Sequence, residues 1–216
     1  MGMQQILVYA DSLSWGIVPG TRKRFGFDER WPGVMELELV RLGHRVRVIE
    51  DCLNGRRTVW EDPYKPGRNG LAGLEQRIEI NSPLALVVLL LGTNDFQSMH
   101  QHGAWQSAQG IATLIAAIRR APIEPGMPVP QILVVAPPKI QPAKGPMAPK
   151  FAGAEVKAAG LAAAIEQVAH DSGCAFFDAG GATATSRVDG VHLDQDQHLA
   201  LGRALADKVA QLLATD

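Results

Sequence analysis

The chain has 216 residues, a length that predicts one globular domain spanning residues 1–216. Hydrophobic residues make up 46% of the chain and charged residues 20%, which excludes global disorder and allows one sizeable core. Because 21 Lys and Arg are balanced by 22 Asp and Glu, the chain has no basic field to attract a nucleic acid, and we expect no nucleic-acid partner.

Apolar runs of strand length alternate with segments of helical periodicity, which is typical of a parallel sheet covered by helices on both faces. The predicted strands are residues 6–10, 45–49, 84–91, 132–136 and 175–177. The predicted helices are residues 30–42, 71–80, 104–120, 153–171 and 195–214. The third strand is apolar throughout, so we expect it at the centre of the sheet. In the fourth helix, Val156, Ala159, Ala163 and Val168 are expected to share the face that packs on the sheet.

The compartment is predicted from the apolar runs and the cysteines. The longest apolar run, residues 84–91, is far shorter than the roughly 20 residues that a membrane-spanning helix needs, so we expect no membrane partner. Cys52 and Cys174 have no metal-ligand spacing, and neither a disulfide framework nor a zinc site is expected. The first residues also lack the basic region of a targeting signal. These features predict a cytoplasmic protein.

Polar residues follow the predicted strands at the positions where ligands bind in a doubly wound sheet. Ser12 follows the first strand, Gly55 the second and Asn94 the third, while Asp189 and His192 precede the last helix. Each has a structural explanation when taken alone: Ser12 as a helix N-cap, Asn94 as a turn residue and Gly55 as a residue with positive φ. Together they supply a hydroxyl, an imidazole, a carboxylate and oxyanion donors, the set that acyl transfer needs.

These residues carry a resemblance to a known family. The chain resembles the SGNH hydrolases, also called the GDSL family, in four motif blocks in order: Ala10-Asp11-Ser12-Leu13, Gly55, Gly92-Thr93-Asn94-Asp95 and Asp189-Gly190-Val191-His192. Trp15-Gly16 makes it most similar to the bacterial oligomeric arylesterase and acyltransferase branch, which includes carbohydrate acetylesterases. One departure is Ala10, where the family has Gly; a methyl group fits an ordinary strand end but not a positive φ.

The resemblance implies a fold and a set of roles. The fold is the SGNH hydrolase fold, a flavodoxin-like three-layer α/β/α sandwich with about five parallel strands. Ser12 is implied as the nucleophile, with Asp189 and His192 completing a catalytic triad. Ser12, Gly55 and Asn94 are implied as the oxyanion hole. The resemblance calls for no metal and no organic cofactor.

The resemblance also implies an activity. The chain is expected to be a serine esterase that hydrolyses short-chain, acetyl-type esters through an acyl-serine intermediate. Aryl esters and acetylated carbohydrates are the expected small-molecule substrates, with acyl transfer or perhydrolysis as a side activity. Trp15 and Asp11 are expected to contact the substrate. Members of this branch form homo-oligomers, often octamers, so the same is expected here.

Three long loops interrupt the regular elements: residues 19–29, 56–70 and 137–149. Loops of this length on a compact domain are typical of binding walls, lids or subunit contacts. The second loop carries Trp60 and Tyr64 beside several arginines, a composition typical of an interface core.

Two other function classes remain open from the residues alone. The first is a flavodoxin-like module that binds FMN, with Ser12 and Ser14 holding its phosphate at a helix start. The second is a metal hydrolase, whose candidate ligands are His192, Asp194, Asp196 and His198. These four residues share one face only in a strand, whereas the segment after residue 195 has helical periodicity. His100 and His102 are predicted as polar loop residues rather than a ligand pair.

Overall fold

The central element of the chain is one five-stranded parallel sheet with the strand order β2-β1-β3-β4-β5. The computed structural model describes residues 2–214. The strands are β1 Gln4–Ala10, β2 Val46–Cys52, β3 Leu86–Leu90, β4 Gln131–Ala136 and β5 Ala175–Asp178. The predicted strands and the central position of the third are therefore confirmed. Residue 1 and residues 215–216, at the ends of the predicted domain, lie outside the described residues.

Helices cover both faces of this sheet. They are α1 Ser12–Trp15, α2 Trp31–Arg41, α3 Leu74–Asn81, α4 Ala104–Arg119, α5 Ala154–Lys157, α6 Leu161–Asp171 and α7 Gln195–Leu213. Helices α2 and α7 pack together over one face, and α3, α4 and α6 pack over the other. This arrangement is the three-layer α/β/α sandwich of the prediction, which is confirmed.

The apolar character of β3 follows from its position between the two helical layers. Successive side chains of a strand point to opposite faces, so a strand covered on both sides is apolar at every position. Leu86, Val88 and Leu90 lie in the core beneath α2 and α7, while Val87 and Leu89 lie in the core beneath α3, α4 and α6. All five side chains are fully buried.

The helix predicted over residues 153–171 is two helices, which corrects the sequence-based prediction. Gly160 separates α5 from α6 with φ +83°, a left-handed conformation that glycine adopts without strain. The predicted packing face is also wrong at three of its four residues, since Val156, Ala159 and Ala163 are exposed and only Val168 is buried. Val156 is 73% exposed, and the buried face of α6 is instead formed by Leu161, Ile165, Val168 and Ala169.

The cysteines and the helix compositions bear on the predicted compartment. Within the described residues, Cys52 and Cys174 are both free and half-buried. Over residues 2–214 no helix combines the length and the apolar composition that crossing a membrane requires.

The parallel sheet brings the candidate residues to one edge. All five strands point the same way, so the segments that follow β1, β2 and β3 leave the sheet at its carboxyl edge. Ser12, Gly55 and Asn94 lie in these three segments. Asp189 and His192 reach the same edge from the loop before α7, as the distances below establish.

Candidate active site

Ser12 is positioned by the short helix α1, which begins directly after β1. Asp11 is the N-cap of this helix, and its Oδ1 accepts a hydrogen bond of 2.9 Å from the amide of Leu13. The cap fixes the turn from strand to helix and therefore the direction of the Ser12 side chain. Ser12 is only 6% exposed and lines a cavity of about 210 Å³.

Ser12, His192 and Asp189 form a continuous hydrogen-bonded chain. Ser12 Oγ lies 3.2 Å from His192 Nε2, although the two residues are 180 positions apart in the sequence. On the other side of the ring, His192 Nδ1 lies 2.7 Å from Asp189 Oδ2. The structure thus brings the predicted hydroxyl, imidazole and carboxylate together in the order that base-assisted attack by a serine requires.

Asp189 is held in place by both of its oxygens. Oδ1 accepts from the amides of Val191 and His192, each at 2.9 Å, and Oδ2 also accepts from the Gly20 amide at 3.3 Å. Burial alone would raise the pKa of Asp189, but the hydrogen bonds and the charge of His192 outweigh it and lower that pKa to about 2. An ionised Asp189 accepts the proton on Nδ1 of His192 and leaves Nε2 free to act as a base toward Ser12.

Two backbone amides point to an oxyanion site beside Ser12. Within the described residues, the N–H groups of Ser12 and Gly55 donate to no protein acceptor, and both residues line the cavity. Gly55 has φ +85°, and its backbone therefore takes a conformation that favours glycine. Unpaired amides beside a nucleophile are the groups that stabilise the charge developing on a carbonyl oxygen.

Asn94 is the third predicted donor, and its side chain is held by hydrogen bonds on every side. Nδ2 donates to Asp11 Oδ2 at 2.8 Å and to the Arg56 carbonyl at 3.1 Å. Its Oδ1 accepts from Gln97 Nε2 at 2.7 Å. Asn94 lines the cavity and is 3% exposed. Because both Nδ2 hydrogens already have protein acceptors, donation to an oxyanion requires one of them to leave its present acceptor.

The predicted substrate contacts have different outcomes. Trp15 lines the cavity, but Asp11 is fully buried and does not. Both oxygens of Asp11 face protein donors, the Leu13 amide and Asn94 Nδ2, which explains why it turns away from the cavity. Burial raises the pKa of Asp11 to about 6, and these hydrogen bonds partly oppose that rise. The structure therefore gives Asp11 a positioning role instead of the expected contact with substrate.

All three long loops contribute walls to the cavity. The first contributes Gly20, Thr21 and Arg22, the second Asp62 and Lys65, and the third, with the residues that follow it, Pro146, Met147, Lys150 and Phe151. Trp60, in the second loop, does not line the cavity and stacks on the His102 ring at a centroid distance of 3.9 Å. The loops therefore surround Ser12 with side chains that the motif blocks do not include.

Sequence reasoning missed two residues that hold the predicted groups. Arg56 Nη1 donates to the Ala10 carbonyl at 3.0 Å, and its Nη2 lies 2.6 Å from Asp51 Oδ1, which ties β1 to the segment carrying Gly55. Gln97 supports Asn94, as described above. The available signal was local, because Arg56 directly follows Gly55 and Gln97 lies three residues after Asn94.

Ala10 fits its position without strain. It is the last residue of β1, it is fully buried, and no non-glycine residue between positions 2 and 214 has a positive φ. The position that has Gly in the family therefore requires no positive φ in this chain.

The candidate ligands of the metal-hydrolase alternative do not come together in the described part of the chain. Among residues 2–214 no three His, Cys, Asp or Glu side chains are placed to hold a metal ion. Of the four candidate ligands, His192 faces Ser12, Asp194 accepts from Ser186 Oγ at 2.8 Å, and His198 is buried against Phe25. The rings of His100 and His102 stack on each other, with an interplanar angle of 19°.

His198 gives a prediction on stability. Its Nδ1 accepts from the Trp31 amide at 3.3 Å, and burial, with smaller contributions from the charges of His192 and Arg30, lowers its pKa to about 3. Because the pKa of His198 is lower in the folded protein than the value of about 6.5 in the unfolded chain, the unfolded chain binds a proton first as the pH falls. The free energy of unfolding is therefore fully retained above about pH 6.5 and decreases as the pH falls toward 3. We expect His198 to lower the free energy of unfolding by about 3 kcal/mol at pH 4.5 relative to pH 7.5.

The measurement is urea unfolding at both pH values for the unmodified protein and for His198→Asn, whose side-chain oxygen can replace Nδ1 as the acceptor. The free energy of unfolding of the unmodified protein should fall relative to that of the variant by about 3 kcal/mol at the lower pH. His170→Asn, at a largely exposed histidine, is the matched control. A difference between unmodified protein and His198→Asn that stays constant with pH would contradict the prediction.

Comparisons with known proteins agree with this geometry. Residues 11–200 match the model of the GDSL-like lipase/acylhydrolase family. The chain belongs to this family. The match runs from the residue before Ser12 to beyond His192, so it includes all five candidate residues of the site, namely Ser12, Gly55, Asn94, Asp189 and His192. The family predicted from the sequence is confirmed.

Solved structures give the same result. An aryl esterase from M. smegmatis is 35% identical with a TM-score of 0.91, and a carbohydrate acetylesterase from Sinorhizobium meliloti is 32% identical with a TM-score of 0.91. In both cases the similarity covers 97% of this chain and 99% of the other. A lipase/acylhydrolase from Enterococcus faecalis, at 16% identity and a TM-score of 0.67 over 96% of each chain, shares the fold. A comparison with curated proteins found no match.

The family decides between the function classes that the residues left open. As a member of the acylhydrolase family with close structural similarity to esterases, this GDSL hydrolase is a carboxylic ester hydrolase that acts on small molecules. The FMN-binding alternative has no support from these comparisons.

Proposed function

We propose that this GDSL hydrolase cleaves short-chain, acetyl-type esters, including aryl esters and acetylated carbohydrates, through an acyl intermediate on Ser12. The contact of 3.2 Å between Ser12 Oγ and His192 Nε2 is the observation that carries the proposal. Further support comes from the small cavity of about 210 Å³ and from the aryl esterase and carbohydrate acetylesterase to which the chain is similar.

The first half of the proposed reaction forms the acyl enzyme. Ser12 Oγ attacks the ester carbonyl while His192 Nε2 takes the hydroxyl proton, and Asp189 stabilises the imidazolium that results. The carbonyl oxygen becomes an oxyanion that accepts from the Ser12 and Gly55 amides and from Asn94 Nδ2. The C–O bond to the alcohol then breaks, and His192 returns its proton to the leaving oxygen.

The second half releases the acid. Water replaces the alcohol, His192 removes one of its protons, and the resulting attack on the acyl carbon forms a second oxyanion at the same donors. Collapse of this intermediate breaks the bond to Ser12 Oγ, which recovers its proton from His192. An alcohol or a peroxide that enters in place of water would give acyl transfer or perhydrolysis.

A series of aryl esters that differ only in acyl length tests the proposed substrate range. We expect kcat/KM to be highest for the acetyl ester and to fall as the acyl chain lengthens, because the cavity is smaller than the roughly 300 to 1,000 Å³ of typical ligand pockets. Octanoyl esters cleaved as well as acetyl esters would contradict the range. Added alcohol tests the side activity, and release of free acid alone would exclude acyl transfer.

The proposed role of Asn94 predicts a large loss of turnover. Asn94→Ala removes one oxyanion donor, and we expect kcat to fall about a hundredfold to a thousandfold, which corresponds to roughly 3 to 4 kcal/mol in the barrier. Steady-state kinetics on an acetyl aryl ester measures the effect. Asn81→Ala, at an exposed helix residue whose Nδ2 donates to the Arg77 carbonyl, is the matched control. Near-normal turnover in Asn94→Ala would show that the assigned role is wrong.

We also propose a homo-oligomer, with an octamer as the expected assembly, in a cytoplasmic setting. The second loop supports association, because its Tyr64 side chain is 81% exposed. The two free cysteines support a reducing compartment. Light scattering on the purified chain tests the assembly, and a monomeric mass at micromolar concentration would contradict it.

Residues 1–216 are proposed as one domain, since a single sheet carries both core layers.

A further inference from the structure

Three cationic side chains line the cavity that contains Ser12. Arg22 comes from the loop after α1, Lys65 from the loop after β2, and Lys150 from the segment after β4. Arg22 and Lys65 are exposed, and Lys150 is half-buried. The exposed pair therefore lies toward solvent, while Lys150 lies closer to the interior.

The three charged groups lack close polar partners in the described part of the chain. Among residues 2–214, the charged groups of Arg22, Lys65 and Lys150 form no hydrogen bond and no ion pair, and Lys150 Nζ lies only at 5.9 Å from the centroid of the Phe151 ring. Arg24 and Arg30, close to Arg22 in the sequence, both pair with Glu50. The unpaired cations lie around the reaction site, although the whole chain has a formal net charge of -1.

The two carboxylates of the cavity are already occupied. Asp62 Oδ2 lies 3.0 Å from the buried Arg57 guanidinium, and its Oδ1 accepts from the amides of Tyr64 and Lys65 at 2.9 and 3.1 Å. Asp189 is bonded to His192 and to three backbone amides. Neither carboxylate is therefore available to neutralise the three cations fully.

The pKa values of the lysines agree with a group of neighbouring positive charges. Burial first, and then the charges of Arg68 and Arg22, lower the pKa of Lys65. Burial is also the main cause of the lowered pKa of Lys150. The negative charge of Asp62 raises this pKa, and the positive charges of Arg57, Lys65 and Arg22 lower it further. Cations that repel each other in this way are stabilised when an anion binds between them.

We infer that Arg22, Lys65 and Lys150 form an anion subsite, and that the ester substrate carries a negatively charged group such as a carboxylate, sulfate or phosphate. This inference rests on the proposed esterase function and names its substrate class more closely. The subsite binds the charged group while the ester carbonyl lies against Ser12 and the oxyanion donors. A neutral ester of the same shape lacks this interaction.

The test compares 4-acetoxybenzoate, which is anionic, with its neutral methyl ester. The measured quantity is the selectivity ratio, kcat/KM for the anionic ester divided by kcat/KM for the neutral one. Intrinsic differences in leaving group cancel when the ratio of a variant is divided by that of the unmodified protein. An aryl hemisuccinate and its methyl ester repeat the comparison with the charge on the acyl side, and 4-acetoxyphenyl phosphate replaces the carboxylate by a phosphate.

We expect the selectivity ratio to fall about fivefold in Lys150→Gln and about tenfold or more in the triple variant Arg22→Gln/Lys65→Gln/Lys150→Gln. Raising NaCl from about 0.05 M to about 0.5 M should lower the ratio of the unmodified protein and leave that of the triple variant unchanged, because salt screens exposed charges. Lys208→Gln is the matched control. Lys208 lies 13 residues into α7, about 20 Å along the helix from its start, and its variant should keep the full ratio.

The possible outcomes separate the two proposals. Selectivity ratios that agree within about twofold between the unmodified protein and the triple variant, for both substrate pairs, would overturn the anion subsite while esterase activity persists. If the unmodified protein hydrolysed neither the anionic esters nor the neutral esters, the proposed function would be wrong and the subsite with it.

Discussion

Replacement of Ser12 by Ala should lower kcat for an acetyl aryl ester on the order of a million-fold. The variant lacks the oxygen that forms the acyl bond, so no covalent intermediate can arise. The oxyanion donors remain, and they should leave a residual rate about a thousandfold to ten thousandfold above that in water. Steady-state kinetics gives the loss of kcat, and pre-steady-state measurement should show no burst of released alcohol.

Two further variants control this result. Ser14→Ala makes the same chemical change two residues away, where Ser14 Oγ accepts from Trp31 Nε1 at 3.1 Å. It should cost about 1 to 3 kcal/mol of stability and keep esterase activity. The double variant Ser12→Ala/His192→Ala should be about as impaired as Ser12→Ala, because the two residues act as a unit. If Ser12→Ala kept more than about a hundredth of normal kcat, the nucleophile would be another group.

Asp189→Asn should lower kcat about ten thousandfold while the backbone hardly changes. If the Asn oxygen accepts from the Val191 and His192 amides, as Oδ1 of Asp189 does, its NH₂ group faces His192 Nδ1. That nitrogen must then accept, and the ring proton moves to Nε2, where it points at Ser12 and blocks proton transfer. The expected signature is a large drop in kcat with a small change in KM.

Asp194→Asn is the matched control for this variant, because Asp194 lies five residues away and accepts from Ser186 instead of His192. It should retain most of the esterase activity. Turnover within about tenfold of normal in Asp189→Asn would contradict the proposed orientation of His192.

The fold was largely predictable because its strands are buried on both faces. β3 consists of five consecutive apolar residues, and this run alone indicates a central strand. The break between α5 and α6 was not predictable from periodicity, since Gly160 is compatible with a helix and with its end.

The candidate site was predictable to the level of the sheet edge. Ser12, Gly55 and Asn94 follow strands that end together, so their proximity follows from the topology. The direction of each side chain does not, and Asp11 therefore turned out to be buried against Leu13 and Asn94 instead of facing substrate.

The cationic lining of the cavity had no signal in the sequence. Arg22, Lys65 and Lys150 lie in three separate connecting segments, and a lone Lys or Arg in a loop is usually solvated. Their convergence depends on how the three segments fold over the carboxyl edge of the sheet. Motif spacing contains no information on that arrangement.

The most direct test of the central claim is labelling with an organophosphonate, which bonds to an activated serine, followed by mass spectrometry of the intact chain and of its peptides. We expect one adduct per chain, on the peptide that contains Ser12. Ser12→Ala should form no adduct, and His192→Ala should form the adduct at a much lower rate. Labelling of another residue at full rate, or equal labelling of Ser12→Ala, would contradict it.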